Sequence, residues 1–188
     1  MSEDRNFDDL ADRFERRVHR SLKGQIRRAV LARDIEEFCL RHLPDNAQIL
    51  DIGGGLGRFS MMLAAQGRGV LYNDISEAMC AKAQCEATNQ GVEHLISWHV
   101  GPYQSLLEGL EHRGRYQLIV CHALLEWLAE PEQLLRDVHS FCMNGAYLSL
   151  CFYNPDGKEY RNLIRGNFDW IHNRAQYQSD HGSLTPNN

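Results

Sequence analysis

The run Leu50-Asp51-Ile52-Gly53-Gly54-Gly55-Leu56-Gly57 constrains this chain more than any other stretch. Ahead of it, Gln48-Ile49-Leu50-Asp51-Ile52 reads as a short apolar strand. Behind it, Phe59, Met62, Leu63 and Ala64 read as a helix. Glycines at such a turn let the backbone take positive φ and let a ligand approach with no Cβ in the way. In doubly wound sheets that turn lies beyond the carboxyl ends of the strands, where ligands bind. A dinucleotide fingerprint requires GxGxxG. Gly53 and Gly55 fit its first two positions, but Arg58 stands at the third. The pattern present is GxGxG (Gly53, Gly55, Gly57) with Asp51 two residues ahead, which argues against a dehydrogenase.

Strands and helices alternate on either side of this loop. Gly69-Val70-Leu71-Tyr72-Asn73 reads as a second strand, Leu95 to Val100 as a third, Tyr116 to Cys121 as a fourth and Ala146 to Phe152 as a fifth. The fourth is the most apolar and is expected at the buried centre. Helices are expected over Ser76 to Gln90, with Ser76 as cap, and over Ala123 to Cys142, with Pro131 opening a new turn. This order implies parallel βαβ units covered on both faces. Before the first strand, Phe7, Leu10, Ala11, Phe14 and Val18 mark an amphipathic helix, and a second helix is expected from Gln25 to about Arg41. After Phe152 only a modest helix is expected, holding Tyr160, Leu163 and Ile164. We therefore expect one α/β domain over residues 1–188. It comprises a helical N-terminal extension (1–45), a cofactor-binding core (46–154) and a partial C-terminal segment (155–188).

Composition narrows the function. There is no apolar run of membrane-spanning length, and the start, Met1-Ser2-Glu3-Asp4-Arg5, has no signal pattern. The cysteines Cys39, Cys80, Cys85, Cys121, Cys142 and Cys151 form no CxxC pair and read as reduced core residues of a cytoplasmic protein. The histidines show neither HxxxH nor HExxH spacing, so no metal is expected. A net charge of −5 argues against a uniformly nucleic-acid-coating protein. Against that balance stands the basic run Arg13, Arg16, Arg17, Arg20, Lys23, Arg27 and Arg28, opposed only by Glu15. It is either a solvated helix face or a landing strip for a polyanion.

The acid-plus-GxGxG loop at the end of a first strand resembles the S-adenosylmethionine-binding motif of Rossmann-like methyltransferases. Asn73-Asp74-Ile75-Ser76 agrees, because it sets a carboxylate at the end of the second strand. In such enzymes an acid there grips both ribose hydroxyls, a task for a bidentate acceptor. The plainer reading of Asp74 is a helix-leading aspartate. His122-Ala123-Leu124-Leu125-Glu126-Trp127-Leu128 resembles the stretch that lines the cofactor near its methyl group in this class. His122 also reads as a buried histidine capping the next helix.

With Arg5-Asn6-Phe7-Asp8-Asp9, Lys23-Gly24-Gln25-Ile26-Arg27, Phe152-Tyr153-Asn154 and Gly166-Asn167-Phe168-Asp169 in the same order, the chain resembles the bacterial tRNA 5-carboxymethoxyuridine methyltransferases. The resemblance implies methyl transfer to the carboxylate of 5-carboxymethoxyuridine at the tRNA wobble position. It assigns Arg27 to the cofactor's carboxylate, Ile52 and Gly53 to backbone contacts, Asp74 to the ribose and His122 to the region beside the methyl. Asp51 and Gly55 belong to the same loop. The family holds adenine with a pair after the third strand. That pair falls on Tyr103-Gln104, where Gly101-Pro102-Tyr103-Gln104 departs from the family's small-residue pattern. The basic run becomes a contact for tRNA. No proton-abstracting residue is nominated, since a carboxylate is already ionised at neutral pH. Arg161 and Arg165 are the candidates for positioning the substrate carboxylate.

The sequence stops at Asn188, ahead of the sixth and seventh strands that this fold normally carries. On that expectation a sheet edge is exposed. Two alternatives stand beside the tRNA reading: a small-molecule methyltransferase, and a cofactor-binding module without catalysis.

Overall fold

A computed structural model of the chain describes residues 21–173. The amphipathic helix expected from Phe7 onward, and the basic run up to Arg20, lie outside the described residues.

Helix α1 (Leu22–Phe38) begins earlier than its apolar spacing predicts, because Ser21 caps it: the Ser21 Oγ accepts the Gly24 amide at 3.0 Å. Gly24 therefore sits buried in the first turn instead of breaking the helix. The helix stops at Phe38, and the chain tightens into a 3-10 turn over Leu40–His42. Next come β1 (Ile49–Ile52), α2 (Arg58–Ala64), β2 (Val70–Asp74), α3 (Glu77–Asn89) and β3 (Ile96–Val100). Then follow β4 (Tyr116–His122), α4 (Pro131–Phe141), β5 (Cys142–Cys151), α5 (Pro155–Ile164) and α6 (Phe168–His172). Ser76 caps α3 as expected, accepting from the Met79 amide at 3.1 Å.

The strands form one parallel sheet in the order β3-β2-β1-β4-β5. Strand β1 is therefore the pivot: Ile49 lies beside Val70 of β2 on one side and Leu118 of β4 on the other. The chain winds outward in opposite directions from this pair, which places the topological switch between β1 and β4.

Both faces are covered, and strand alternation decides what each face meets. Ile49, Val70, Leu118 and Val120 pack with Ile35 of α1 and Leu63 of α2, and Tyr72 and Ile96 pack with Cys80, Ala83 and Ala87 of α3. On the other face Leu50, Ile52, Ile119 and Cys121 meet Leu134, Val138 and Phe141 of α4. Each large aliphatic side chain buried this way contributes roughly 1.5–3 kcal/mol.

Two boundaries depart from the sequence reading. The helix expected from Ala123 is interrupted: Ala123 takes a left-handed φ of 55°, a 3-10 turn covers Leu125–Trp127, and the α-helix starts only at Pro131. Strand β5 starts directly at the end of α4, but its pairing is irregular. Cys142 lies beside Tyr116 and Tyr147 beside Leu118, so residues 143–146 loop out opposite a single β4 residue. The cysteines also divide. Cys39, Cys80 and Cys121 are buried, Cys142 and Cys151 are half-buried, and Cys85 is exposed, which corrects its assignment to the core. No helix among the described residues is long and apolar enough to cross a membrane.

Candidate cofactor site

The glycine turn after β1 lies at the switch point and forms the floor of a cavity with about 1250 Å³ of empty space, mouth included. The turn is held from β2: the Gly54 amide donates to the Asn73 carbonyl at 2.9 Å, and the Tyr72 hydroxyl donates to the Gly55 carbonyl at 2.6 Å. Two of its glycines are required by space. A Cβ on Gly54 would lie 2.6 Å from the Tyr72 ring. At Gly53 it would meet Leu124 at 2.9 Å, and φ is +68°. A Cβ on Gly55 would meet no protein atom within 4 Å, so this glycine leaves open space beside the loop.

Two acids sit beneath the loop. Asp51 is 3% exposed, and its Oδ2 accepts from the Ser60 hydroxyl at 2.6 Å. Burial raises its carboxyl to about 6 and the neighbouring Asp74 adds to the rise, while the Ser60 hydrogen bond opposes it. Asp74 accepts the Gly55 amide on Oδ2 at 2.7 Å and the Ser76 amide on Oδ1 at 2.9 Å. It therefore leads helix α3, as the plainer reading held, and also braces the glycine loop.

His122 ends β4 and stands over the opposite wall. Its Nε2 lies 2.8 Å from the Ser149 hydroxyl of β5, and the Phe59 ring meets it edge-on at 4.5 Å. Its Nδ1 is buried with no hydrogen-bond partner among the described residues. Burial first, then the positive charge of Arg27, push the imidazole down to about 4, so it is neutral at physiological pH.

The structure brings every residue of the expected set into the lining of this one cavity: Arg27, Asp51, Ile52, Gly53, Gly55, Asp74, Tyr103, Gln104 and His122. Tyr103 is largely a core residue, 4% exposed, with its hydroxyl donating to Asp137 Oδ2 at 3.0 Å. Arg161 on α5 and Arg165 just past its end are exposed and do not line the cavity.

Other residues were not legible in the sequence. Asn73 is buried and its amide donates to the Gly101 carbonyl at 2.8 Å, tying the end of β2 to the loop after β3. Glu126 is buried, accepts the Tyr153 amide on Oε1 and keeps Oε2 without a hydrogen-bond partner among the described residues. Arg28 and Arg58 also line the cavity. The position of Asn73 beside Asp74 is the one signal that could have pointed to it. Among the described residues no group of His, Cys, Asp and Glu is arranged to hold a metal.

The residues suit a zwitterionic nucleoside. The loop admits close backbone approach, Asp74 is an acceptor at the end of β2, Arg27 is a cation on the helix above, and the buried His122 Nδ1 faces no protein partner among the described residues. The family described as "Methyltransferase domain" matches residues 49–145. This chain belongs to that family, and its cofactor class is S-adenosylmethionine. The chain is 36% identical over 169 residues to a protein of Escherichia coli K12 named tRNA 5-carboxymethoxyuridine methyltransferase. That match covers 90% of this chain but only 64% of the relative's length. A ubiquinone biosynthesis O-methyltransferase of Azotobacter vinelandii is 30% identical over 63% of this chain and 50% of its own length. Among solved structures, a putative S-adenosyl-L-methionine-dependent methyltransferase of Methanococcus maripaludis superposes with a TM-score of 0.63 at 21% identity, over 95% of this chain and 81% of that one. That likeness shows the Rossmann-like fold.

Proposed function

We propose that this protein methylates the carboxylate of 5-carboxymethoxyuridine at the tRNA wobble position, giving the methyl ester, in the cytoplasm. We take residues 1–188 as one methyltransferase domain. The observation that carries the reading is the placing of Arg27, within the segment Lys23-Gly24-Gln25-Ile26-Arg27, over the same cavity as the glycine loop and His122. The 36% identity to the tRNA enzyme extends over 90% of this chain, well beyond the domain shared by the wider family.

Bound S-adenosylmethionine supplies an electrophilic methyl on a sulfonium. The chain's own residues then have three tasks. Arg27 pairs with the amino-acid carboxylate, the backbone of Ile52 and Gly53 seats the ligand on the loop, and Asp74 accepts from the ribose hydroxyls. Tyr103 and Gln104 hold the adenine side. His122, neutral and wedged by Phe59 and Ser149, closes the wall beside the methyl without adding a charge there. No residue has to take a proton, because the attacking carboxylate is ionised at neutral pH. Rate enhancement comes from aligning the oxygen with the methyl and excluding water from both ions.

The test is transfer of labelled methyl from S-adenosylmethionine to tRNA bearing 5-carboxymethoxyuridine, read by nucleoside mass spectrometry. We expect the methyl ester only on the carboxymethoxy-bearing tRNA. Transfer to small acids but not to tRNA would replace this reading with a small-molecule methyltransferase. Cofactor binding without any transfer would leave a binding module. Affinity for tRNA should fall steeply with added salt.

A further inference from the structure

A second groove opens between α1, α2 and the end of α3, with about 730 Å³ of open space, lined by Gln25, Arg28, Arg58, Phe59, Met62 and Gln90 among others. Arg28, Arg58 and Phe59 line both this groove and the cofactor cavity, so the two spaces meet at these side chains.

Neither arginine is paired with a carboxylate among the described residues. The Nε–H of Arg58 is buried with no hydrogen-bond partner there. The acids of the cavity do not supply one: Asp51 accepts from Ser60, and Asp74 accepts from Gly55 and Ser76. A buried donor left without a partner is costly, and two half-buried guanidiniums lining the same space favour an anion there. Guanidinium is also the group that best matches phosphate oxygens. The neighbouring walls, Phe59 and Met62, are apolar and suit the sugar or base beside a phosphate ester.

We propose that Arg28 and Arg58 form an anion subsite for a phosphate group of the substrate, at the junction of the cofactor cavity and the α1–α2 groove. That the phosphate belongs to an RNA backbone rests on the tRNA reading above; the subsite itself does not.

Two measurements on the full chain, saturated with S-adenosylmethionine, test this. In the first, inorganic phosphate is titrated at constant ionic strength and Tm is followed. Phosphate should raise the Tm of the wild type, and at least half of that rise should vanish in the Arg28→Gln/Arg58→Gln double variant. Should the double variant not fold, Arg28→Gln alone, on the helix surface, gives the same readout. An absent or equal response in wild type and variant overturns the subsite. In the second, a 5-carboxymethoxyuridine-bearing anticodon stem-loop is titrated at several salt concentrations. Each single Gln variant should bind about tenfold more weakly, with a shallower log–log salt slope than the wild type. Arg58→Lys should keep most of the slope. If cofactor affinity falls in parallel with RNA affinity, the arginines serve the cofactor's carboxylate and the proposal is wrong. A phosphate response that depends on both arginines, with no RNA binding by the wild type, supports the subsite and removes the tRNA reading.

Discussion

Two residues of the site store opposite electrostatic costs. The Asp51 carboxyl is raised from 3.8 to about 6, so the folded state favours its protonated form. That contribution is fully present below pH 3.8 and is lost as pH rises through about 6. At neutral pH the ionised, buried Asp51 costs on the order of 3 kcal/mol relative to a neutral side chain. Asp51→Asn should therefore raise Tm at about pH 7.5, and the gain should disappear below about pH 4 in a thermal melt series. His122 runs the other way. Its folded value of about 4 lies below the usual 6.5, so its contribution is present above pH 6.5 and is lost as pH falls through about 4. Because Arg27 is the second cause of that depression, Arg27→Ala should move the NMR titration midpoint of His122 upward. An unmoved midpoint would show that the guanidinium does not face the ring.

At the scale of elements, the β1–α2 turn is a fitted piece. Gly54 has no unusual backbone angle, so its need for glycine comes from crowding, first by the Tyr72 ring at 2.6 Å and then by Asp51 Oδ2 at 3.1 Å. Gly54→Ala should destabilise the fold by about 1–3 kcal/mol in urea denaturation, the usual cost of overpacking. It should also weaken cofactor binding, because Tyr72 holds the Gly55 carbonyl. This turn was legible in sequence because positive φ and close approach exclude other residues. The ends of neighbouring elements were not. Gly24 looks like a break in the helical pattern, and only the Ser21 cap shows how the helix closes around it. Ala123 looks helical by composition, yet its φ of 55° is imposed where its amide reaches across to the Cys151 carbonyl at 2.6 Å. Local propensity is weak enough for such long-range hydrogen bonds to override it.

At the scale of the whole molecule, β5 pairs only with β4 among the described residues, and Leu148 on it is 40% exposed. Edge strands with exposed apolar side chains promote pairing between chains, and charge on the edge suppresses it. Leu148→Lys should reduce concentration-dependent light scattering while changing stability by no more than about 0.5 kcal/mol, the usual effect of a surface substitution. Light scattering identical to wild type would place the contact elsewhere.

That Asp74, His122 and Arg27 belong beside the glycine loop was expected from the family resemblance; residue pattern was enough for the strand-helix alternation and for the loop itself. Each of these is set by periodicity or by a steric requirement local to a few residues. It took the packed fold to bring Arg28 and Arg58 to a shared space with neither paired to a carboxylate, to let Asn73 fasten the loop after β3, and to bury Asp51 enough that it holds its proton to about pH 6. These depend on desolvation and on contacts between elements far apart in the chain, which a pattern of residue types does not encode.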